Sequence, residues 1–470
     1  MPADLAPALE AAERAATYAA TRRDAFLQEL MRLLRVPSIA ADPPAGAMRQ
    51  AADLVATAMG GRGFRTDVVE TAGHPAVLAE LDTGAPVTVL LYNHYDVQPA
   101  DPLAAWTSEP FVPEVRDGSL FARGVADNKA DLMVRLEAIG ALAATGGLPV
   151  NIRWLVEGEE ETGSRHLPSV VKQHADRLRA DVCLWESGGR DEGGRPGLVL
   201  GCKGILYVEL ATRSGPPHDM HSSLAAVVPS PVWRLIEALD AIRDPQSGRV
   251  RIPGFYDAAR APTDAQRALL ERDPLDVAAM RRSLGVPRLL GNDPETPAGG
   301  VALAERLLFS PTCNICGIEA GYNGPGTKTI VPAAAKAKLD FRLVPDQRAD
   351  VIWAKLTRYL AQNGFSDVAA RLLEAEDPAL TPADHPAVAI CAELATAVYG
   401  KPARIMPLIA ATGPMAPVGE TLHVPCLSVP NIARPDSHAH APDERVPLEA
   451  MWEGLRYTAA VLTALSGLGR

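Results

Sequence analysis

The sequence predicts an α/β protein with a mainly parallel sheet, into which a second domain of α+β type is inserted. Three short apolar runs, at residues 87–92, 150–156 and 182–185, have the length of buried strands. Helical patterns separate these runs, and such alternation is typical of parallel strands joined by crossover helices. After residue 204 the pattern changes to that of antiparallel strands. The chain is therefore expected to leave the parallel sheet there.

The length, composition and net charge of the sequence limit the possible functions. With 470 residues, the chain is too long for one ordinary core, so at least two domains are expected. Hydrophobic residues make up 47% and charged residues 22%, which excludes a disordered chain or a fibre. The net charge of -11 argues against nucleic acid or a membrane as partner. Since no signal pattern or bilayer-spanning run is found, we predict a cytoplasmic protein.

Residues 1–204 are expected to form the first part of the parallel-sheet domain. Residues 26–34 carry apolar side chains at helical spacing, and Pro37 ends this pattern. Residues 128–144 show the same spacing and predict the crossover helix after the first strand. Residues 163–174 hold the helix after the second strand. The first two predicted strands are thus each followed by a helix that can cover the sheet.

Residues 205–384 are expected to form the inserted α+β domain, and residues 385–470 the second part of the first domain. The elements predicted in the insertion are strands at 205–212, 314–322 and 335–343 and helices at 232–242 and 349–363. The parallel sheet then resumes with a helix at 387–399 and a strand at 426–429. A last apolar helix closes the chain.

The six cysteines show no disulfide framework. Cys313 and Cys316 form a C-x-x-C, but no second pair of Cys or His lies nearby in the sequence. The surrounding residues read like a strand. We therefore interpret both cysteines as small core residues, in preference to a zinc or redox pair.

Polar side chains follow each of the three apolar strands. His94 and Asp96 follow the first, Glu160 and Glu161 the second, and Glu186 the third. Taken alone, a His-x-Asp is more often a structural histidine, and an acidic run is more often a solvated turn. However, the carboxyl ends of parallel strands meet at one edge of a sheet, where α/β proteins bind ligands. The pattern therefore predicts a polar site at that edge.

Asp127 and His440 complete this set, because each lies in a turn beside a predicted strand or helix. Each residue is ordinary when considered alone. Together, two histidines and several carboxylates at comparable positions are the ligands that zinc, manganese or cobalt prefer. The sequence therefore predicts a hydrolytic centre with two metal ions.

Five motifs then give the chain a family resemblance. In chain order they are HYDVQPADPLAAWTSEPFVPEVRDGSLFARGVADNKA, EGEEETGS, HDMHSS, LDFRLVP and HAPDE. Together they resemble the dinuclear zinc metallopeptidase family that contains carnosinase and cytosolic nonspecific dipeptidase, with glutamate carboxypeptidase and aminoacylase as more distant members. The resemblance covers nearly the whole chain. It implies a metallopeptidase catalytic domain with an inserted lid and dimerisation domain, in a homodimer.

The resemblance implies two divalent metal ions per subunit, zinc or alternatively manganese or cobalt. His94 and Glu186 would bind one ion, and Glu161 and His440 would bind the other. Asp127 would bridge the two.

The resemblance also assigns catalytic roles. Asp96 would orient His94, and Glu160 would act as the general base towards a water molecule held between the metal ions. His221 would reach the partner subunit's site and stabilise the oxyanion. Without the resemblance, His221 would be read as a histidine of a surface loop.

Two further residues would bind the substrate. Arg342 would pair with the free carboxylate, a role that suits the planar guanidinium, and Thr329 would assist it. Without the resemblance, Arg342 would be interpreted as a strand arginine in a surface ion pair, and Thr329 as an ordinary strand threonine.

The chain departs from the family pattern at three places. Asn128 stands where many members have a second Asp, at a position that shapes a turn. Glu186 stands where dipeptidase-type members usually have Asp and carboxypeptidase- or acylase-type members have Glu. Pro414 and Met415 stand where a serine is expected to help hold the substrate carboxylate.

The predicted reaction is metal-dependent hydrolysis of an amide bond next to a free carboxylate, in dipeptides or short peptides. The alternative within the family is a carboxypeptidase or an N-acyl-amino-acid deacylase. A protein that binds metal or peptide without catalysis is a further alternative, which the intact glutamate triplet argues against.

Overall fold

The chain forms two compact units. The computed structural model describes residues 5–186, 188–212, 215–430 and 432–468. Unit 1 comprises Met1–Gly201, Leu380–Pro407 and Pro417–Arg470, and unit 2 comprises Cys202–Ala379 and Leu408–Ala416.

Unit 2 covers Cys202–Ala379, where the sequence predicts an insertion at residues 205–384, and it also includes a second segment. Leu408–Ala416 belongs to unit 2, although the sequence assigned it to the second part of the other domain. The backbone N–H of Lys203 donates to the carbonyl of Ala411 at 3.0 Å, which ties this segment to the start of unit 2. The contact joins residues far apart in the chain, so no local pattern marks it.

Helices and strands alternate in small groups along the chain. The helices are α1 Ala6–Ala20, α2 Arg23–Leu34, α3 Ala47–Gly60, α4 Ala130–Thr145, α5 Leu167–Gln173, α6 Ala175–Leu178, α7 Pro231–Ile242, α8 Asp264–Arg272, α9 Val277–Ser283, α10 Pro297–Phe309, α11 Ala349–Gln362, α12 Pro386–Tyr399, α13 Met415–Leu422 and α14 Leu448–Leu465. The strands are β1 Arg65–Val69, β2 Ala76–Leu81, β3 Thr88–His94, β4 Glu114–Arg116, β5 Ser119–Phe121, β6 Asn151–Glu157, β7 Val182–Trp185, β8 Gly197–Val199, β9 Gly201–Cys202, β10 Gly204–Thr212, β11 Met220–His221, β12 Thr312–Ala320, β13 Ile330–Val331, β14 Ala335–Leu343, β15 Val368–Glu376, β16 Ala379–Leu380, β17 Arg404–Met406, β18 Cys426–Ser428 and β19 Arg445–Pro447.

Unit 1 is built on an eight-stranded sheet in the order β1-β2-β6-β3-β7-β18-β8-β17. Strands β6, β3, β7 and β18 are parallel neighbours, whereas β1 and β2 form an antiparallel edge. The strands β3 and β7 are almost wholly buried, which explains why they read as continuous apolar runs. The predicted α/β fold with a mainly parallel sheet is confirmed.

The helices of unit 1 bury the sheet and the start of the chain. Helix α4 contacts β3 and packs against α1 and α14, while α3 contacts β1 and β2. Most of α4 is buried, including the charged side chains of Asp131 and Arg135, which form an ion pair at 2.9 Å. In the described part of the chain, no helix has the length and apolar character needed to cross a membrane.

Unit 2 contains a four-stranded antiparallel sheet in the order β12-β14-β10-β15. Burial alternates along β10 and β14, because one face packs on a core to which α7 and α11 contribute. A separate two-stranded ribbon pairs β11 with β13. The strands predicted at residues 205–212, 314–322 and 335–343 correspond to β10, β12 and β14, whereas the edge strand β15 was not predicted.

The prediction that Cys313 and Cys316 are both core residues is wrong for Cys316, which is exposed, whereas Cys313 is buried. Both lie in the edge strand β12, whose register against β14 shifts between Ile315 and Gly317. Residues three apart in a strand lie on opposite faces, and the irregularity falls at Cys316. Cys313 packs on the core of unit 2, whereas Cys316 lies at the interruption of the pairing and is exposed.

Candidate metal centre

The five predicted ligands lie together in unit 1. His94 ends β3, Glu161 follows β6 and Glu186 follows β7, so all three lie beyond the carboxyl ends of parallel neighbours. Asp127 lies in the turn just before α4, and His440 precedes β19. The parallel sheet brings His94, Glu161 and Glu186 together, and two turns place Asp127 and His440 beside them.

His94, Asp127 and Glu186 form one group, in which the ligand atoms lie within 4.8 Å of one another. His94 Nε2 is 3.0 Å from Asp127 Oδ1 and 3.5 Å from Glu186 Oε2. His94 and Glu186 are buried, while Asp127 is partly exposed. One imidazole nitrogen and two carboxylates therefore converge on a common point.

Asp127, Glu161 and His440 form a second group with the same spacing. His440 Nε2 is 3.1 Å from Asp127 Oδ2 and 3.2 Å from Glu161 Oε2. Asp127 therefore presents one carboxylate oxygen to each group. This is the arrangement expected of a ligand shared by two metal ions.

The donor atoms fit divalent cations. Glu186 Oε2 is buried and has no hydrogen-bond partner among the described residues. A buried carboxylate oxygen in that state is costly unless a cation or a water molecule satisfies it. Imidazole nitrogens combined with carboxylate oxygens suit zinc, manganese or cobalt. The two groups thus match the chemistry of two metal sites.

The charges of the centre also favour cations. Burial raises the pKa of Asp127, but the hydrogen bonds of His440 and His94 lower it overall, so that Asp127 is ionised. Burial raises the pKa of Glu186 well above its usual range, against the opposing effect of His94. Hydrogen bonds to Asp127 and Glu161 raise the pKa of His440 to about 10. The carboxylates that raise the pKa of His440 would attract a divalent cation by the same negative charge.

Asp96 contacts both ligand groups. The His94 Nδ1–H donates to the Asp96 backbone carbonyl oxygen at 3.1 Å, which leaves Nε2 directed at Asp127, and Asp96 Oδ1 lies 3.4 Å from Nδ1. Asp96 Oδ2 accepts from the backbone N–H of Glu161 at 2.9 Å. Asp96 can therefore fix the ring of one ligand and the backbone of another.

The three glutamates after β6 have different surroundings. The carboxylate of Glu159 lies 2.8 Å from His166 Nδ1. Glu161 Oε2 accepts from Gln98 Nε2 at 2.9 Å. Among the described residues, none forms a hydrogen bond with the Glu160 carboxylate. Of the three, Glu160 is the one whose carboxylate is available to a substrate or to water.

Burial is the main reason why the pKa of Glu160 is raised to about 7. The negative charges of Asp127 and Glu161 raise it further, while His94 acts in the opposite direction. A carboxyl group in this range takes up and releases protons near neutral pH.

Asn128 lies in the turn and not among the ligands. The Asp127–Asn128 peptide bond is cis. The Asn128 Oδ1 atom accepts a hydrogen bond from Asn93 Nδ2. Asp127 contacts the two histidines, whereas Asn128 is bonded to a buried amide.

Comparison with known proteins identifies the family. Residues 90–464 match Peptidase family M20/M25/M40. The chain is an M20 peptidase. This confirms the resemblance drawn from the five motifs, and it makes the protein a metal-dependent peptide hydrolase whose family implies divalent metal ions.

Relatives of this peptidase cover most of its length. It is 29% identical over 393 residues to the Beta-Ala-His dipeptidase of Rattus norvegicus, covering 77% of each chain. It is 26% identical to the Cys-Gly metallodipeptidase of Schizosaccharomyces pombe, covering 93% of this chain and 94% of the relative. The solved M20 family metallo-carboxypeptidase Sso-CP2 from Sulfolobus solfataricus is similar with a TM-score of 0.86 and 36% identity, covering 94% of this chain and 99% of that one.

The remaining predicted residues of the peptidase, His221, Thr329 and Arg342, belong to unit 2. His221 pairs with Ile330 in the ribbon of β11 and β13, and the N–H of Ser222 donates to the Thr329 carbonyl at 3.0 Å. His221 and Thr329 are thus neighbours, and both are exposed.

Arg342 lies on β14 among polar residues of unit 2. Its Nη1 atom donates to Thr412 Oγ1 at 2.7 Å, and its Nε lies 3.3 Å from Asp340 Oδ2. Burial and the charge of Arg342 lower the pKa of Lys203 to about 8. Thr412 precedes Pro414 by two residues, so a hydroxyl is present close in sequence to the position where the serine is missing.

Three residues that contact the predicted site residues were not predicted from the sequence. They are Gln98, which holds Glu161, Thr412, which binds Arg342, and Glu444, which accepts from the backbone N–H groups of Ala126 and Asp127. Gln98 and Glu444 lie inside quoted motifs, so the motifs themselves were the signal that could have found them. Thr412 carried no such signal.

Proposed function

We propose that this peptidase hydrolyses the peptide bond next to the free C-terminal carboxylate of dipeptides or short peptides, with two divalent metal ions, preferably zinc. The observation that carries the proposal is Asp127, whose two oxygens each lie about 3 Å from a histidine of a different ligand group. The similar proteins named as dipeptidases and as a metallo-carboxypeptidase support the substrate class.

His94, Asp127 and Glu186 would hold one ion, and Asp127, Glu161 and His440 the other. When bound, such ions polarise the scissile carbonyl and lower the pKa of water. Glu160 accepts the proton of the attacking water and then donates it to the leaving nitrogen, since its carboxylate has no competing partner among the described residues.

A second candidate within the same chemistry is a carboxypeptidase acting on longer peptides. Glu186 favours it, because carboxypeptidase- and acylase-type members of the family have Glu there. The similarity to the metallo-carboxypeptidase Sso-CP2, at 36% identity, favours it as well. The two candidates share every catalytic step and differ only in the length of peptide accepted.

The proposal extends to a homodimer in which His221 acts at the metal centre of the partner subunit. His221 is exposed on unit 2. Nearby in sequence, Val227 and Trp233 are 80% and 68% exposed, which is unusual for large apolar side chains and typical of an interface.

We also propose a cytoplasmic location, which fits six cysteines that form no disulfide, all of them within the described ranges.

A metal-removal experiment combined with a substrate panel tests the function. We expect a chelator to abolish hydrolysis and zinc, cobalt or manganese to restore it. The panel contains dipeptides, longer peptides and N-acetyl amino acids, with products identified by mass spectrometry. Hydrolysis of dipeptides alone supports the first candidate, and stepwise release of C-terminal residues supports the second. Acetate release indicates a deacylase, and hydrolysis that persists without metal contradicts the proposal.

The Arg342→Met variant tests how the substrate carboxylate is bound. We expect kcat/KM for peptides with a free carboxylate to fall about 10- to 100-fold, the value of a hydrogen bond to a charged group. Peptides with an amidated C-terminus lack the carboxylate, so the substitution should leave their slow hydrolysis unchanged. Arg371→Met is the control, because Arg371 is an exposed arginine of the same sheet that pairs with Glu209. An equal loss on both kinds of peptide would reject Arg342 as the carboxylate ligand.

A further inference from the structure

Glu444, the last residue of the HAPDE motif, has no part in the function proposed above, yet it is almost completely buried. Its Oε2 atom accepts from Arg123 Nη1 at 2.7 Å and from the N–H of Gly124 at 2.8 Å. Its Oε1 atom accepts from the N–H of Ala126 at 2.7 Å and from that of Asp127 at 3.1 Å. One carboxyl group thus accepts four hydrogen bonds.

These contacts define the chemistry of the position. All four partners are donors, so the group acts as an acceptor through both oxygens, as only a carboxylate can. Three of the donors are backbone N–H groups of the turn that precedes α4, and groups at such a turn have no partner inside the helix. The side chain of Glu444 supplies that partner.

Glu444 also joins two distant parts of the chain. The N–H of Ala122 donates to the Glu444 carbonyl at 3.1 Å, next to the pairing of β5 with β19. Asp127 lies in one of the joined segments, and His440 lies in the other, four residues before Glu444. The distance of 3.1 Å between His440 Nε2 and Asp127 Oδ2 depends on how these segments are held together.

We infer that Glu444 is a positioning residue that sets Asp127 relative to His440, and thereby the affinity of the metal ion held by Asp127, Glu161 and His440. The inference rests on the proposed function only in taking these three residues as ligands. Groups that orient metal ligands typically change metal affinity 10- to 100-fold when they are replaced. The first group, with His94 and Glu186, should change less, since Glu444 contacts neither residue.

The Glu444→Gln variant tests the inference, because glutamine keeps the shape but places an NH₂ group against N–H donors. Zinc is titrated into the metal-free protein in competition with a chromophoric chelator. We expect one of two zinc ions to bind 10- to 100-fold more weakly and the other to bind nearly as before. Activity should return when the free zinc concentration is raised.

Glu137→Gln is the matched control. Glu137 is also buried and its Oε2 accepts from Arg62 Nη2 at 2.8 Å, but it contacts no ligand. Both substitutions are expected to lower the thermal stability, and only Glu444→Gln is expected to lower metal affinity. A purely structural role of Glu444 would give the same result for both variants.

The outcomes separate the inference from the proposed function. Wild-type zinc affinity at both sites of a folded Glu444→Gln protein overturns the inference and leaves the function standing. Failure of the unaltered protein to bind two zinc ions overturns the function itself. If Glu444→Gln does not fold, Glu444→Asp keeps the charge on a shorter side chain, and we expect an intermediate loss of affinity for one ion. Unchanged affinity in Glu444→Asp overturns the inference in that case.

Discussion

The Glu160→Gln variant is expected to bind metal as the unaltered peptidase does and to lose about 10²–10⁴-fold in kcat, the contribution of a positioned general base. Glutamine has the size of glutamate but cannot take up the proton. Since no described group forms a hydrogen bond with the Glu160 carboxylate, the substitution breaks no such contact. The measurement pairs kcat with the metal content per subunit, determined by elemental analysis on the same sample.

Glu159→Gln is the control for this experiment. Glu159 is the neighbouring residue, and its carboxylate is bound to His166 and lies outside both ligand groups. We expect this variant to keep its kcat, although the altered hydrogen bond with His166 is expected to cost some stability. Turnover that survives in Glu160→Gln, or a loss of metal from it, would reject Glu160 as the general base.

The sequence predicted those features of the peptidase that follow from local pattern. The buried strands β3 and β7 appear as nearly continuous apolar runs because helices cover the sheet, β6 is apolar over most of its length, and polar residues follow each run. Parallel neighbours end at the same edge, so the sequence alone could place His94, Glu161 and Glu186 near one another. The positions of Asp127 and His440 in turns beside predicted elements then completed the set, and the resemblance to the family gave each residue its role.

The features that were missed arise from contacts between distant parts of the chain. Leu408–Ala416 joins unit 2 through hydrogen bonds to residues near 203 and 342, and nothing in its own composition indicates this. Glu444 lies inside the HAPDE motif, but its burial becomes visible only when the turn before Asp127 is in place. Burial of a charged side chain depends on donors that the local sequence does not contain.

Asp127→Asn is expected to affect both metal ions, because Asp127 presents one oxygen to each ligand group. Asparagine keeps one oxygen and replaces the other with an NH₂ group, which cannot bind a metal ion. Whichever way the amide is turned, one group loses a ligand and gains a donor directed at a histidine. We expect the loss of at least one metal ion and a fall in kcat/KM of about 10³-fold, which is about 4 kcal/mol in the transition state.

Asp181→Asn is the control for Asp127, because the Asp181 carboxylate accepts from the N–H of Thr88 where β3 begins, at the opposite edge of the sheet. This variant should keep both metal ions and nearly full activity.

A bridging role of Asp127 also predicts that its substitution affects metal binding more than the substitution of a residue that belongs to one group only. Glu186→Gln and Glu161→Gln each remove a ligand from one group, so each should release one ion and leave the other group intact. If Asp127→Asn loses no more metal than either of them, Asp127 belongs to one site only, and the two groups are separate centres.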